Sequence, residues 1–226
     1  MPTTYLLGYD IGSSSIKASL VQTDSGKITA SATSPAQELP MDALQEGWAE
    51  QHPDLWWEHL TKATHQLKQA NSEALQRVVA IGISYQMHGL VVVDKNQQAL
   101  RPSIIWCDSR AVHIGERAFN GLGQDWCLSH LLNSPGNFTA SKLRWVQENE
   151  PQLYEQIHKI MLPGDYIAMK LTGEINTTVS GLSEGIFWDF KSDSPSQKLL
   201  DYYQIDQDLI PEQVPTFGEQ GRVQSN

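Results

Sequence analysis

The sequence predicts an α/β domain in which helices flank a mixed β-sheet. Three short strand-like segments joined by tight turns open the chain, and an amphipathic helix then leads to a continuous apolar run. Short strands with tight turns are typical of an antiparallel meander, whereas a helix that crosses to an apolar strand is typical of a parallel connection. The order β-β-β-α-β therefore indicates one sheet that combines both kinds of pairing.

The three opening strands are predicted at Tyr5–Ile11, Ile16–Gln22 and Ile28–Ser34. Apolar and polar residues alternate in the second of them, which is the pattern of a strand with one buried face. The turn Asp24-Ser25-Gly26 separates the second strand from the third and has the residue types that tight turns favour. These signals together predict the meander.

The first helix is predicted to begin at Pro53, because proline suits the first helical turn. Its buried face is predicted from apolar residues that recur at helical spacing, namely Trp56, Leu60, Ala63, Leu67 and Ala70. The next segment, Val78–Ser84, is a continuous apolar run rich in β-branched residues. We therefore expect it to be a strand buried on both faces.

The rest of the chain is predicted to alternate short strands with helices. Strands are expected at Leu90–Val93, Ser103–Trp106 and Lys159–Leu162, and helices at Ser141–Asn149, Pro151–Ile157 and Asp165–Leu171. Gly173 is expected to close the last of these helices, and Ser194-Pro195 to cap a final one. Residues 204–226 have weak periodicity and are predicted to connect this chain to something beyond it.

Composition limits the class of protein. A length of 226 residues and a hydrophobic content of 40% fit one globular domain over residues 1–226. The formal charge of −10 argues against nucleic acid or an anionic membrane as a partner. No signal peptide is evident in the opening residues, no apolar run has the length of a membrane span, and the two cysteines form no metal or redox motif, so we expect a cytoplasmic protein.

The turn between the first two strands is the first candidate site. It reads Asp10-Ile11-Gly12-Ser13-Ser14-Ser15-Ile16-Lys17. The glycine lets the backbone approach a ligand closely, and the serines offer amides and hydroxyls that can cradle phosphate oxygens. Asp10 could hold Mg²⁺ through water, and Lys17 could add positive charge. A hairpin turn with polar filler is the alternative that the pattern leaves open.

Two further candidate segments follow apolar runs. Gln86-Met87-His88-Gly89 comes after the strand predicted at Val78–Ser84, and Trp106-Cys107-Asp108-Ser109-Arg110 comes after the one predicted at Ser103–Trp106. Ligands of α/β proteins gather at the carboxyl ends of strands, where these polar side chains could bind a polyol and Trp106 could contact its C–H groups. The structural alternatives are a histidine whose hydrogen bonds are made within the protein and an Asp108–Arg110 salt bridge. On sequence alone they are about as well supported as the ligand-binding roles.

Set together in chain order, these segments resemble the FGGY carbohydrate kinases. The resemblance covers nearly the whole chain and is carried by YLLGYDIGSSSIKASLV, EGWAEQHPDLWW, GISYQMHGLVVVD, RPSIIWCDSR, NFTASKLRWVQENEP and MLPGDYIAMKLTGE. It implies a ribonuclease H-like fold of the actin type, in the N-terminal domain of a two-domain kinase. It also implies transfer of the γ-phosphoryl group of ATP, with Mg²⁺, to a sugar or polyol.

The resemblance assigns roles to single residues. Asp10 matches the metal-associated aspartate, and Gly12, Ser13 and Ser14 match the phosphate-binding loop, with Lys17 beside it. Gln86, Met87 and His88 resemble the pattern of the members that act on xylulose. Asp108 matches a sugar-binding aspartate, and Trp106 and Arg110 fall in the same sugar-site segment. This implies phosphorylation of D-xylulose to D-xylulose 5-phosphate. Ser13 stands where threonine is commoner, and Cys107 where asparagine is common.

The family's catalytic base is an aspartate in a Gly-Gly-x-Asp segment that opens the second domain, and this sequence has no such segment. We therefore expect the chain to be the N-terminal half of a longer protein and to be inactive alone. The alternatives are a kinase for L-xylulose, ribulose or gluconate, a non-catalytic sugar-binding module, and an actin-like or heat-shock-type ATPase. A homodimer is left open.

Overall fold

The computed structural model describes residues 2–224 and contains twelve strands and eight α-helices within them. The strands are β1 (Tyr5–Ile11), β2 (Ile16–Gln22), β3 (Ile28–Ser34), β4 (Glu50–Gln51), β5 (Val78–Tyr85), β6 (Val91–Val93), β7 (Ser103–Ile104), β8 (Lys159–Met161), β9 (Asn176–Thr177), β10 (Trp188–Asp189), β11 (Ser194–Pro195) and β12 (Glu212–Gln213). The helices are α1 (Pro53–Leu75), α2 (Val112–Leu122), α3 (Gln124–His130), α4 (Thr139–Asn149), α5 (Pro151–Tyr154), α6 (Pro163–Thr172), α7 (Val179–Glu184) and α8 (Gln197–Tyr203).

The described chain divides into two compact units. One comprises the chain up to Pro40 together with His52–Gln86, and the other comprises Met41–Gln51 and the chain from Met87 onwards. Both fall within the span predicted as one domain, whose terminal residues Met1, Ser225 and Asn226 lie outside the described residues.

The first unit is built on a four-stranded mixed sheet with the order β3-β2-β1-β5. β1, β2 and β3 pair antiparallel, and β5 pairs parallel to β1. The meander and the mixed sheet are therefore confirmed, with the bounds of all three opening strands as predicted. Alternation explains the burial of β2, because Ile16, Ala18 and Leu20 are all fully buried on one face.

The prediction that β5 is buried on both faces is wrong. The strand lies at the edge of the sheet, and Val79 is 63% exposed. None of its residues is buried. A short apolar run fits a strand in a sheet, but the run alone does not tell whether neighbouring elements cover it.

α1 packs against β2 and β3 through the predicted apolar face. Trp56, Leu60, Ala63 and Leu67 are buried. Ala70, predicted as part of this face, is exposed. Asn71 directly after it has non-helical φ and ψ angles of −138° and 38°, so the buried stripe ends at Leu67, one turn before this kink.

The second unit contains a large apolar core formed by residues of its helices and of β6, β7, β8 and β10. Its strands form four two-stranded pairings, β4-β7, β6-β8, β12-β9 and β10-β11. The sequence does not predict α2, because its two glycines and one asparagine are poor helix formers. Packing overrides that preference: a Cβ on Gly115 would clash with the Gly136 carbonyl, so this glycine permits close approach. α3 and α7 are likewise absent from the sequence-based prediction.

Of the two helix termini predicted from Gly173 and Ser194-Pro195, the structure confirms the first and not the second. Gly173 ends α6 in the left-handed conformation, as predicted, with φ of 78°. Ser194-Pro195 does not cap a helix; it forms β11, and Ser196 is the residue that precedes α8. Within residues 204–224, a 3₁₀ turn at Gln207–Leu209 and β12 are the regular elements that the structure describes.

Candidate functional site

The Asp10–Lys17 turn in the first unit is held by its own backbone. The Gly12 amide donates to the Ser15 carbonyl at 3.1 Å, and the Ser14 carbonyl accepts from the Leu39 amide at 2.8 Å. A Cβ on Gly12 would lie 2.9 Å from the Ser15 carbonyl oxygen, so any other residue would force the turn to shift. The sequence thus specifies a tight, glycine-dependent turn at this point.

Charged side chains flank this turn. Asp10, the next-to-last residue of β1, is exposed and lies opposite Lys17 in the antiparallel register. Lys17 is exposed as well. Ser14 is exposed, whereas Ser13 is half-buried and interacts with other residues of the chain. The turn therefore presents one carboxylate, one ammonium and small hydroxyl side chains at the carboxyl end of β1.

Gln86 lies beside this turn, because β1 and β5 run parallel and their carboxyl ends meet at one edge. The backbone amide of Gln86 donates to the Ile11 carbonyl at 2.8 Å. Both polar atoms of its side chain are buried and have no hydrogen-bond partner among the described residues. A buried amide left in this state is costly, and a hydroxyl-bearing ligand could meet its hydrogen-bonding need.

His88 belongs to the second unit and is held from several sides. Its Nδ1 lies 2.9 Å from the Glu184 carboxylate, and its ring meets Phe138 edge-on at 4.3 Å. Its backbone has φ of 58°, in the left-handed region, and its carbonyl accepts from the Lys142 ammonium. The ring is partly exposed, which leaves Nε2 as the nitrogen that a ligand could contact.

Met87 and Trp106 are the exposed apolar residues among the candidates. Met87 is 52% exposed and Trp106 is 49% exposed. Singly exposed apolar side chains are common on protein surfaces, so exposure alone assigns no role, but Trp106 offers a flat face to the C–H groups of a sugar.

The Asp108 carboxylate, predicted to bind sugar, is fully buried and already occupied. Oδ2 accepts from the Ala49 amide at 2.6 Å and from Arg110 Nη2 at 2.6 Å, and Oδ1 accepts from the Arg110 amide at 2.9 Å. The structure thus contains the Asp108–Arg110 salt bridge that sequence analysis left open as the alternative. A direct contact of either side chain with sugar stays a prediction, and it would require this pair to rearrange.

Asp108 and Arg110 belong to a larger group that we call the buried charge cluster: Glu50, Arg101, Asp108, Arg110 and Glu150. The Glu50 carboxylate lies 2.5 Å from Arg101 Nη2 and 2.6 Å from Arg110 Nη1, and Arg101 Nε lies 2.9 Å from Glu150. Arg110 also stacks 3.7 Å over the centre of the Trp48 ring, so Trp48 packs against the cluster. The cluster links Glu50 in β4 to residues on both sides of β7 and to Glu150 at the end of α4.

Lys142 on α4 is a functional candidate that sequence reasoning missed. Its side chain is fully buried, and its Nζ donates to the His88 carbonyl at 2.8 Å and the Ile105 carbonyl at 2.9 Å. Burial lowers the pKa of this ammonium to about 8, and the Asp108 carboxylate opposes the shift. The sequence did contain a signal for its burial, because Lys142 shares a helical face with the apolar Trp145 and Val146.

Sequence reasoning also missed Glu50 and Glu184. Both pair with residues that are distant in sequence. Glu50 and Arg101 are 51 residues apart, and Glu184 and His88 are 96 residues apart. Spacing arguments along one chain cannot identify such pairs. The single usable signal is an acidic residue next to apolar neighbours, as in Trp48-Ala49-Glu50.

Among residues 2–224, no group of three or more histidine, cysteine, aspartate or glutamate side chains is placed to hold a metal ion. Within the same residues, no helix combines the length and apolarity of a membrane span.

Comparison with protein families gives one match over nearly the whole chain. The N-terminal domain of the FGGY family of carbohydrate kinases matches residues 5–226. A xylulose kinase of Lactococcus lactis subsp. lactis (strain IL1403) is 33% identical over 227 residues, which is 98% of this chain and 44% of that protein. The chain therefore spans less than half the length of this relative.

Solved structures agree with this match. A crystal structure described as a xyloylose kinase from Brucella ovis superposes with a TM-score of 0.89 at 29% identity, covering 97% of this chain and 45% of the other. A gluconate kinase from Lactobacillus acidophilus superposes with a TM-score of 0.83 at 25% identity, covering 94% of this chain and 42% of the other. The predicted ribonuclease H-like fold, in the N-terminal domain of a two-domain kinase, is confirmed.

Proposed function

The chain belongs to the FGGY family of carbohydrate kinases, and from this we propose that it forms the sugar- and phosphate-binding part of a xylulose kinase. The proposed reaction of the longer protein is ATP plus D-xylulose giving D-xylulose 5-phosphate and ADP. The observation that carries the proposal is that Met87 and Trp106 are both exposed and each lies next in sequence to a carbonyl that Lys142 contacts, in segments that resemble the xylulose-acting members.

The sugar is proposed to bind in the second unit. Trp106 and Met87 would contact its C–H groups, and His88 would hydrogen-bond a hydroxyl through Nε2, because Glu184 occupies Nδ1. Glu184 would thereby hold the ring orientation. That Gln86 also contacts the sugar stays a prediction. Asp108 and Arg110 would act by holding the loop that carries Trp106.

The phosphates of ATP are proposed to bind at the Asp10–Lys17 turn. The Gly12, Ser13 and Ser14 backbone and the Lys17 ammonium would stabilise phosphate oxygens, so a protein with a net charge of −10 could bind a polyanion locally. Asp10 forms no ion pair with another described residue and suits Mg²⁺, which keeps several waters and needs few carboxylates. When bound, Mg²⁺ would neutralise charge between the β- and γ-phosphates.

Phosphoryl transfer needs positioning and charge stabilisation more than covalent chemistry from the protein. The residues above bind and orient the two substrates and stabilise negative charge. Removal of the proton from the sugar's terminal hydroxyl is assigned to an aspartate outside this sequence. On this account the chain alone is inactive, and residues 204–226 lead towards the domain that carries the base. A cytoplasmic location and a homodimer also stay predictions.

A gluconate kinase is the second candidate, because a structure with that name superposes well on this chain. Substrates that differ by one group are separated by pocket shape.

A coupled ADP-release assay on the longer protein tests the proposal. D-xylulose should give the highest kcat/KM among D-xylulose, L-xylulose, ribulose and gluconate, and this chain alone should give no release above background. Preference for gluconate would replace the proposed substrate. Robust turnover by the chain alone would contradict the role assigned to the absent base.

A further inference from the structure

We propose that Lys142 is a positioning residue of the sugar site, because it ties the segment carrying Met87 and His88 to the segment carrying Trp106. The inference rests on the proposed function, since that function makes these segments the two sides of the sugar site. Lys142 itself would not touch the substrate, because its side chain is fully buried.

The geometry supports this role directly. One ammonium donates to two backbone carbonyls, those of His88 at 2.8 Å and Ile105 at 2.9 Å. The first belongs to a candidate sugar ligand, and the second immediately precedes Trp106. A single side chain on α4 therefore joins the two backbones, in addition to the backbone hydrogen bond from the Leu90 amide to the Ile104 carbonyl.

The backbone of His88 shows why such a tie is needed. Its φ of 58° lies in the left-handed region, which a residue with a side chain seldom adopts. Conformations of this kind persist at functional sites when surrounding contacts hold them in place. The Glu184 carboxylate holds the imidazole, and Lys142 holds the carbonyl of the same residue.

The choice of lysine also needs explaining, because a buried ammonium is costly to desolvate. A flexible four-carbon stem with three N–H donors can reach two carbonyls from one helix position. An apolar side chain of equal length would fill the same space and leave both carbonyls without this donor. The cost is therefore offset by a connection between two loops.

The test compares Lys142→Met with Lys142→Arg and with the matched control Lys159→Met. Lys159 also donates to two backbone carbonyls, those of Asp208 at 2.6 Å and Ile210 at 3.0 Å. Its partners lie in a segment that carries none of the candidate sugar residues. The control therefore removes two lysine–carbonyl bonds elsewhere in the same unit, from a lysine that is less buried than Lys142.

The first readout is amide hydrogen exchange in this chain, which needs no activity. The Leu90 and Asp108 amides donate to Ile104 and Ile105 carbonyls in the tied segments. In Lys142→Met both should exchange about tenfold faster than in wild type. Lys159→Met should leave them unchanged, and Lys142→Arg should restore part of the protection. Unchanged exchange in a folded Lys142→Met would overturn the inference.

The second readout is kinetics of the longer protein. Lys142→Met should raise KM for the sugar about tenfold while KM for ATP changes less than about twofold. Lys142→Arg should recover part of the sugar affinity, and Lys159→Met should change neither constant. An equal rise in both constants, or none, would contradict positioning of the sugar. Absence of sugar phosphorylation by wild type would refute the proposed function, while hydrogen exchange would still decide the inference.

Discussion

Glu50 provides the sharpest test of the buried charge cluster. Its side chain is 6% exposed and its carboxylate contacts two arginines, Arg101 and Arg110, which are 7% and 1% exposed. Replacing it with alanine removes the shared partner of two buried guanidinium groups. The change should destabilise the second unit strongly.

The magnitude follows from burial. Breaking a buried ion pair by removing one partner costs about 3–5 kcal/mol. Arg101 keeps Glu150 at 2.9 Å and Arg110 keeps Asp108 at 2.6 Å. Because neither arginine is left without a carboxylate, we expect the lower end of the range, about 3 kcal/mol.

Glu58→Ala is a matched control. Glu58 pairs with Lys62 at 2.5 Å, the same separation as Glu50 and Arg101, but both side chains are about half exposed at 53% and 52%. An exposed pair contributes little, so the free energy of unfolding should stay close to wild type.

The assay is urea unfolding of this chain, followed by tryptophan fluorescence and far-UV circular dichroism. Glu50→Gln should fall between wild type and Glu50→Ala, because it keeps the size of the side chain and loses the charge. A loss of less than about 1 kcal/mol in Glu50→Ala, the level of a surface pair, would refute the reasoning.

Two further predictions concern a buried acid and the turn. Burial raises the pKa of Asp165 to about 7 from 3.8, so its contribution to stability is fully present below pH 3.8 and is lost as pH rises through 7. In urea titrations, wild type should lose up to about 1.4 kcal/mol per pH unit across this window relative to Asp165→Asn; parallel pH curves would contradict the assignment. In the longer protein, Gly12→Val should raise KM for ATP about tenfold, because its Cβ would press on the Ser15 carbonyl. Gly8→Ala is the control, since its Cβ would make only ordinary contact at 3.9 Å, and equal effects of the two would argue against the turn as the phosphate site.

Local patterns in the sequence predicted local structure well. Alternation and turn residues gave the three opening strands with their bounds, and apolar spacing gave the face of α1 up to Leu67. These features depend on neighbours within a few residues, so a single sequence contains the necessary information.

Features set by distant residues were not predictable in the same way. The apolar run of β5 indicated a strand but not that it would form an exposed edge. The Asp108–Arg110 pair is local and was anticipated as an alternative, whereas Glu50, Lys142 and Glu184 find partners far away in sequence. Such pairs depend on the finished packing of the chain, which spacing alone does not reveal.

The most direct test of phosphoryl transfer to the sugar is a ³¹P NMR spectrum of the longer protein with ATP, Mg²⁺ and D-xylulose. We expect a phosphate monoester signal split into a triplet by the two protons of the terminal CH₂, in equal amount to the ADP formed. ADP accompanied only by inorganic phosphate would show an ATPase and contradict the account.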